Sequence, residues 1–234
     1  MKKAVVLLSG GIDSTTTLFL AKKRGFNCFC LIFDYGQRHK REIASAKRMA
    51  KLARCPYALM SIRLPWKGSS LLDKKLKVPQ RYNAITQRPN NTIPSTYVPA
   101  RNTIFLSFAL SYAEAISAEA IFIGANAVDF SGYPDCRANF YQAFNKIIKL
   151  GTKAGVEGKK IKIYTPLINK SKAEIIKLGM SLGVPFGLTW SCYKGGKKPC
   201  EKCASCFFRK KGFREAGVVD PLWDKEKRYA QENC

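Results

Sequence analysis

Two stretches of this 234-residue chain carry side chains whose types and spacing could do chemistry. The first is Ser9-Gly10-Gly11-Ile12-Asp13-Ser14-Thr15, between the apolar run Ala4–Leu8 and a helical stretch. Two adjacent glycines let the backbone turn tightly and approach a ligand with no Cβ in the way. Their amides, with the unpaired amides of the next helix's first turn, make an anion cradle that the helix dipole reinforces. Ser9, Ser14 and Thr15 add hydroxyl donors. The chemistry is phosphate binding. No lysine follows the second glycine and G-x-G-x-x-G is absent, so this is neither a Walker A loop nor a dinucleotide fingerprint.

The second is Cys192-x7-Cys200-x2-Cys203-x2-Cys206, with Gly195, Gly196 and Pro199 supplying turns. Four thiolates satisfy tetrahedral Zn²⁺ and leave no open position for a catalytic water, so such a zinc would be structural. The x2 spacings also suit an iron–sulfur cluster, and free thiols are the third reading. The only histidine, His39, is far away in sequence, which makes an all-cysteine site the simplest assignment. Cys28, Cys30, Cys55, Cys136 and Cys234 read as ordinary thiols.

A phosphate loop needs a strand end to stand on. Ala4–Leu8 reads as a strand and Ser14–Lys23 as a helix stopped by Gly25. Cys28–Phe33 predicts a second strand, and the spacing of Ile43, Ala46, Met49, Ala50 and Ala53 a helix over His39–Arg54. Tyr57–Ile62, Ala120–Gly124 and Ile161–Leu167 complete five strands, with helices over Arg101–Ser117 and Ala138–Leu150. Ser171-Lys172-Ala173-Glu174 opens a further helix as a capping box. This alternation predicts an α/β fold: a doubly wound, mostly parallel five-stranded sheet that binds ligands at its carboxyl edge. Residues 1–185 would form that domain, and residues 186–234 a zinc-binding region packed on it. The proline-rich, basic stretch Leu64–Ala100 is either a partly ordered lid near a phosphate or a surface loop.

Composition narrows the class. With 46% hydrophobic residues the chain is not a disordered one, and its apolar runs are too short for a membrane span. Ala4–Leu8 is also short for a secretory h-region, and an odd cysteine count argues against a secreted disulfide framework. A soluble, intracellular enzyme is expected. The formal net charge of +25 attracts phosphates on nucleotide or RNA, or is simply a solvated surface.

Ser-Gly-Gly-Ile-Asp-Ser resembles the pyrophosphate loop of the N-type ATP pyrophosphatases, which cleave ATP to AMP and pyrophosphate. Other segments extend the likeness to one family: Phe33–His39, Tyr97–Thr103, Gly124–Arg137, Thr165-Pro166-Leu167, Ser171–Glu174 and Thr189–Tyr193 with the cysteines. Together they resemble the 7-cyano-7-deazaguanine synthases of the queuosine and archaeosine pathways, most weakly over Ser61–Pro94, Gly151–Lys160 and the tail after Gly217. The resemblance implies an adenine nucleotide alpha hydrolase-like fold and a cytoplasmic C–N ligase. Its substrates would be 7-carboxy-7-deazaguanine, ATP with Mg²⁺, and ammonia. The carboxylate would be adenylated and converted to an amide, and a second ATP would activate the amide oxygen so that a nitrile forms. One structural Zn²⁺ per chain is implied, with no membrane and no stable nucleic-acid partner; a homodimer stays open. A Cys-His glutaminase site needs a histidine base, and His39 stands in a motif of another kind, which favours free ammonia.

On that resemblance Leu8, Ser9, Gly10, Gly11, Ile12, Asp13, Ser14, Thr15, Thr16, Thr17 and Leu18 would hold the nucleotide, with Asp13 a candidate Mg²⁺ contact. Arg101 and Lys172, each at an expected helix start, would neutralise leaving-group charge beside Asp13 and Ser14. Asp34 would meet the adenosine or merely form a turn. Asn126, Asp129 and Asp135 would contact the deazaguanine, Tyr133 would stack on it, and Arg137 would meet its carboxylate. His39 is structural or supporting. Two rivals stand beside this reading: a tRNA-modifying thiolase of the same superfamily, and a zinc-ribbon nucleic-acid-binding protein. The first lacks a separate reactive cysteine pair, and the second leaves the Ser9–Thr15 loop without a purpose.

Overall fold

The computed structural model describes residues 1–79, 93–127 and 132–223. Five parallel strands form one sheet: β1 (Lys3–Leu7), β2 (Asn27–Asp34), β3 (Tyr57–Ser61), β4 (Ala120–Ile123) and β5 (Lys162–Tyr164). Their order is β3-β2-β1-β4-β5. Val6 stands opposite Cys30, and Leu7 stands between Leu31 and Ile123. β1 is central and covered on both faces, so it is a continuous apolar run rather than an alternating one.

The helices lie on two faces. α1 (Ile12–Lys23) and α2 (Arg41–Leu52) cover one, where Leu18, Ala21, Ala46 and Met49 meet Ala4, Val6, Cys28 and Cys30. α3 (Arg101–Ala115) and α4 (Ala138–Gly151) cover the other, where Leu106, Ala109, Tyr141 and Phe144 meet Val5, Leu31 and Ile121. A short α5 (Lys153–Val156) follows α4. α6 (Lys172–Ser181) starts on the expected capping box: the Glu174 amide donates to Ser171 Oγ at 3.3 Å and the Ser171 amide to Glu174 Oε2 at 2.8 Å.

α7 (Ala204–Ala216) packs on α6, and Phe186 and Phe213 share an apolar cluster with Ile12 of α1. The residues after 185 are therefore continuous with the sheet's core. Arg209, 1% exposed, ties them further by donating to both Asp220 oxygens at 2.6 and 2.8 Å and to Thr189 Oγ1 and the Phe186 carbonyl at 2.8 Å.

Two expectations shift. β5 spans three residues instead of 161–167, because a turn closed by the Ile168 amide on the Thr165 carbonyl follows it and Pro166 offers no amide to a ladder. Leu64–Ala100 forms neither helix nor strand in its described parts, yet it is anchored. Ser69 and Ser70 are fully buried, the Ser70 amide donates to the Ser95 carbonyl at 2.8 Å, and Leu71 and Val98 join the α3-side core. Residues 80–92 lie outside the described residues.

Candidate active site

Strand order reverses beside β1, since β2 and β4 flank it and the chain leaves to opposite faces. Such a switch point opens a crevice at the strands' carboxyl ends. The β1–α1 loop stands in it. Gly10 adopts φ +80°, and a Cβ there would lie 2.5 Å from the Ala46 amide nitrogen and 2.6 Å from the Glu42 carbonyl oxygen. Its own carbonyl accepts from the Trp190 amide and the Ser45 hydroxyl, both at 2.9 Å. Gly10 is therefore a packing glycine that docks the loop on α2, whereas Gly11, at the N-cap of α1, has room around it. This divides the role expected of the pair. Gly10→Ala should lose roughly 2–5 kcal/mol through backbone strain and overpacking, measured by denaturant unfolding; wild-type stability would contradict this docking role.

Gly11 offers no side-chain cap, so the first-turn amides of α1 depend on outside acceptors by position. Ser14 Oγ lies 2.9 Å from Ser9 Oγ and donates to the Gly11 carbonyl at 3.3 Å, while the Ser9 amide donates to Ser14 Oγ at 3.2 Å. Asp13 accepts from Lys172 Nζ at both oxygens, 2.7 and 2.8 Å, across 159 residues of sequence. The Lys172 side chain is 9% exposed. The β1–α1 loop and the start of α6 are thus joined by one ion pair.

Two cavities meet at this loop. The larger, about 270 Å³, runs from the end of β2 past Tyr35, Arg101 and Phe105 to Asn126 and Tyr133. The smaller, about 170 Å³, is bordered by Lys172, Trp190, Ser205 and Arg209. Ser9, Asp13 and Ser14 border both. Arg101 Nη1 stands 3.5 Å from the Tyr35 hydroxyl, and its guanidinium lies 5.8 and 5.9 Å from the Tyr35 and Phe105 ring centres.

The expected ligand residues divide. Asn126 and Tyr133 line the larger cavity; the Asn126 amide nitrogen donates to the Lys170 carbonyl, and the Tyr133 hydroxyl lies 2.5 Å from Thr96 Oγ1. Leu8 lines it too. Thr15, Thr16, Thr17 and Leu18 are fully buried and border neither cavity, because α1 is covered here on all sides, by the sheet and by α6. Asp34 pairs with Lys40 at 3.1 Å and accepts from the Gly36 amide, which makes it a turn former outside the cavity wall. Asp135 is 6% exposed and accepts from the Asn102 amide at 3.2 Å, capping α3 instead of facing the cavity. Burial pushes its carboxyl up, against the pull of Arg101. Arg137 is exposed at the N-cap of α4 and borders neither cavity. Asp129 lies outside the described residues.

Sequence reasoning missed Tyr35, Glu42, Gly124 and Tyr193, all of which line the larger cavity. Gly124 carried a signal in its glycine: a Cβ there would lie 2.8 Å from the Ser14 amide nitrogen, so β4 can approach α1 only without a side chain. Tyr35 and Tyr193 carried one in the segments Phe33–His39 and Thr189–Tyr193, whereas Glu42 is indistinguishable in sequence from other helix residues.

The four cysteines converge. Their Sγ atoms all lie within 4.8 Å of one another, and Cys192, Cys203 and Cys206 are each 1% exposed. The Lys194 and Cys200 amides donate to Cys192 Sγ at 3.4 and 3.3 Å, as suits a thiolate acceptor. Sulfurs bound tetrahedrally at about 2.3 Å would be about 3.8 Å apart, so this donor set fits a closed metal site. His39 packs against the loop between these cysteines: a Cβ on Gly195, at φ +64°, would lie 2.0 Å from His39 Cβ. Trp190, with Arg41 4.7 Å above its ring, continues this wall to the smaller cavity.

No helix among the described residues is long and apolar enough to cross a membrane. The family model described as queuosine biosynthesis protein QueC matches residues 3–217. The 7-cyano-7-deazaguanine synthase of Acetivibrio thermocellus is 54% identical over 223 residues, covering 95% of this chain and 97% of the relative. That of Nostoc punctiforme is 53% identical, covering 94% and 98%, and that of Coxiella burnetii 52%, covering 94% and 97%. The match runs through the β1–α1 loop, the switch-point cavities and the cysteine site alike, and the chain belongs to the QueC family of queuosine biosynthesis proteins.

Proposed function

We propose that this chain is, as its relatives are named, a 7-cyano-7-deazaguanine synthase, cytoplasmic and ATP-dependent, and that it acts on 7-carboxy-7-deazaguanine and ammonia as the sequence resemblance implies. The observation that carries the reading is the β1–α1 loop, held by the Asp13–Lys172 pair at the junction of two cavities. Ser9, Ser14 and the first amides of α1 bind the departing pyrophosphate, where fixed donors and the helix dipole stabilise developing charge. Lys172 and Arg101 supply the cations. The base of ATP lies toward the end of β2, and the deazaguanine toward Asn126 and Tyr133.

Mg²⁺ accompanies ATP and spreads phosphate charge. Each Asp13 oxygen keeps a further lone pair beyond its bond to Lys172, so Asp13 is the residue that would hold the ion. The cysteine site would hold Zn²⁺, whose contribution is folding energy. Purified protein given the carboxylate, ammonium and Mg-ATP should yield the nitrile, AMP and pyrophosphate by mass spectrometry. ADP and phosphate as the sole nucleotide products would overturn the adenylation reading.

A further inference from the structure

Six residues border both cavities: Ser9, Asp13, Ser14, Glu42, Gly124 and Tyr193. Two of them carry acids. Asp13 pairs with Lys172 and is assigned above to Mg²⁺, whereas Glu42 forms no ion pair with any described cation. Its position is fixed, because the Glu42 carbonyl oxygen lies where Gly10 permits no side chain. An acid in the first turn of α2 also suits the helix dipole, but a solvent-facing carboxylate would do that equally well. This one lies at the neck where the reacting acyl group and the phosphate loop must meet.

We infer that the Glu42 carboxylate is the ammonium site of the enzyme, binding the cation as its counter-ion at the neck and taking its proton. The inference rests on the function proposed above, which requires nitrogen to reach an acyl-adenylate as ammonia. Ammonium gives one proton to Glu42, and the freed lone pair forms the C–N bond. The bond from the acyl carbon to the AMP oxygen breaks, its electron pair leaves with AMP, and the surplus proton on nitrogen is lost to solvent. The amide is the product.

The surroundings suit a small cation. Asp13 borders the neck from α1, Tyr35 from the end of β2 and Tyr193 from the cysteine region. Arg101, reaching in from α3, is the cation whose charge acts on Glu42, and its guanidinium is directed at Tyr35; Lys172 and Arg209, which border the smaller cavity, are paired with Asp13 and Asp220. Burial raises the Glu42 carboxyl to about 7 against the pull of Arg101. An acceptor poised near neutrality can both take and release a proton.

The test is Glu42→Gln, with Glu42→Asp as a milder companion, assayed over a range of ammonium concentrations. Glu42→Gln should raise KM for ammonium at least tenfold. Trapping of the acyl-adenylate by hydroxylamine, a nucleophile uncharged at neutral pH, should stay within about threefold of wild type. Glu42→Asp should fall between the two in KM. An unchanged ammonium KM in both variants would overturn the assignment. So would a parallel loss of hydroxylamine trapping or a raised Mg²⁺ requirement, which would make Glu42 a nucleotide or metal residue. The wild-type control separates the two readings: if it forms no adenylate with hydroxylamine present, the proposed function fails, whatever Glu42 does.

Discussion

Cys203→Ser should yield a chain that holds no zinc and has lost order from Trp190 into α7. Cys203 is 1% exposed at the N-cap of α7, so its sulfur joins the metal site to the helix. A structural zinc contributes its binding free energy to folding, on the order of 10 kcal/mol or more in small zinc domains. Here the loss is local first, because Arg209, Asp220 and Phe213 anchor α7 independently of the cysteines. It still reaches the active site. Trp190, Ser191, Tyr193, Ser205 and Phe208 wall the smaller cavity, and the Trp190 amide holds the Gly10 carbonyl. Activity should disappear with the metal. Metal analysis should give about one zinc per wild-type chain and none in the variant, with new protease cleavage between residues 190 and 206. A colourless wild-type protein would separate zinc from an iron–sulfur cluster. A stable, zinc-free and fully active variant would refute the structural role.

What was legible in sequence followed from local physics. Apolar runs of strand length, the Ser171–Glu174 box and the cysteine spacing each specify their geometry within a few residues, and the corresponding elements form. The phosphate loop was legible for the same reason: strand, paired glycines and helix start are consecutive. Three of the expected ligand residues do not border the cavities. Asp34, Asp135 and Arg137 had suitable chemistry and suitable positions along the chain, but their directions are set by partners far away or by helix ends. Asp135 is claimed by the N-terminus of α3, 33 residues earlier. Glu42 was invisible for the converse reason. In sequence it is one acid in a basic helix start, and only the docking of α2 on Gly10 carries it to the cavity neck. Thr15 suited the hydroxyl cradle in sequence, but the covered helix buries it completely.

The phosphate loop itself separates into two variants that lose activity for different reasons. Ser14→Ala removes one donor from the cradle while the helix amides and their dipole remain. Removing one transition-state donor costs about 10²–10³ in rate. Among the described residues the Ser14 hydroxyl bonds within the loop, to Ser9 and Gly11, so stability should change by about 1 kcal/mol or less. Asp13→Asn is different. From sequence alone it too should move stability by about 1 kcal/mol or less, since no buried apolar volume is removed. The ion pair with Lys172 removes that expectation. Lys172, 9% exposed, would lose its ion pair to Asp13, and breaking a buried pair from one side costs about 3–5 kcal/mol, less here because Asp13 is 20% exposed. Asp13→Asn should therefore lower both pyrophosphate release and the denaturation midpoint. Asp13→Asn combined with Lys172→Met should recover the midpoint without the rate, since it removes both partners of the pair and with them the cation proposed to neutralise the leaving group. Single-turnover pyrophosphate release and urea unfolding read the two quantities apart. An unmoved midpoint in Asp13→Asn would show the pair to be energetically idle. Wild-type turnover in both Ser14→Ala and Asp13→Asn would reduce the loop to a helix start, and the adenylation chemistry would have to reside elsewhere.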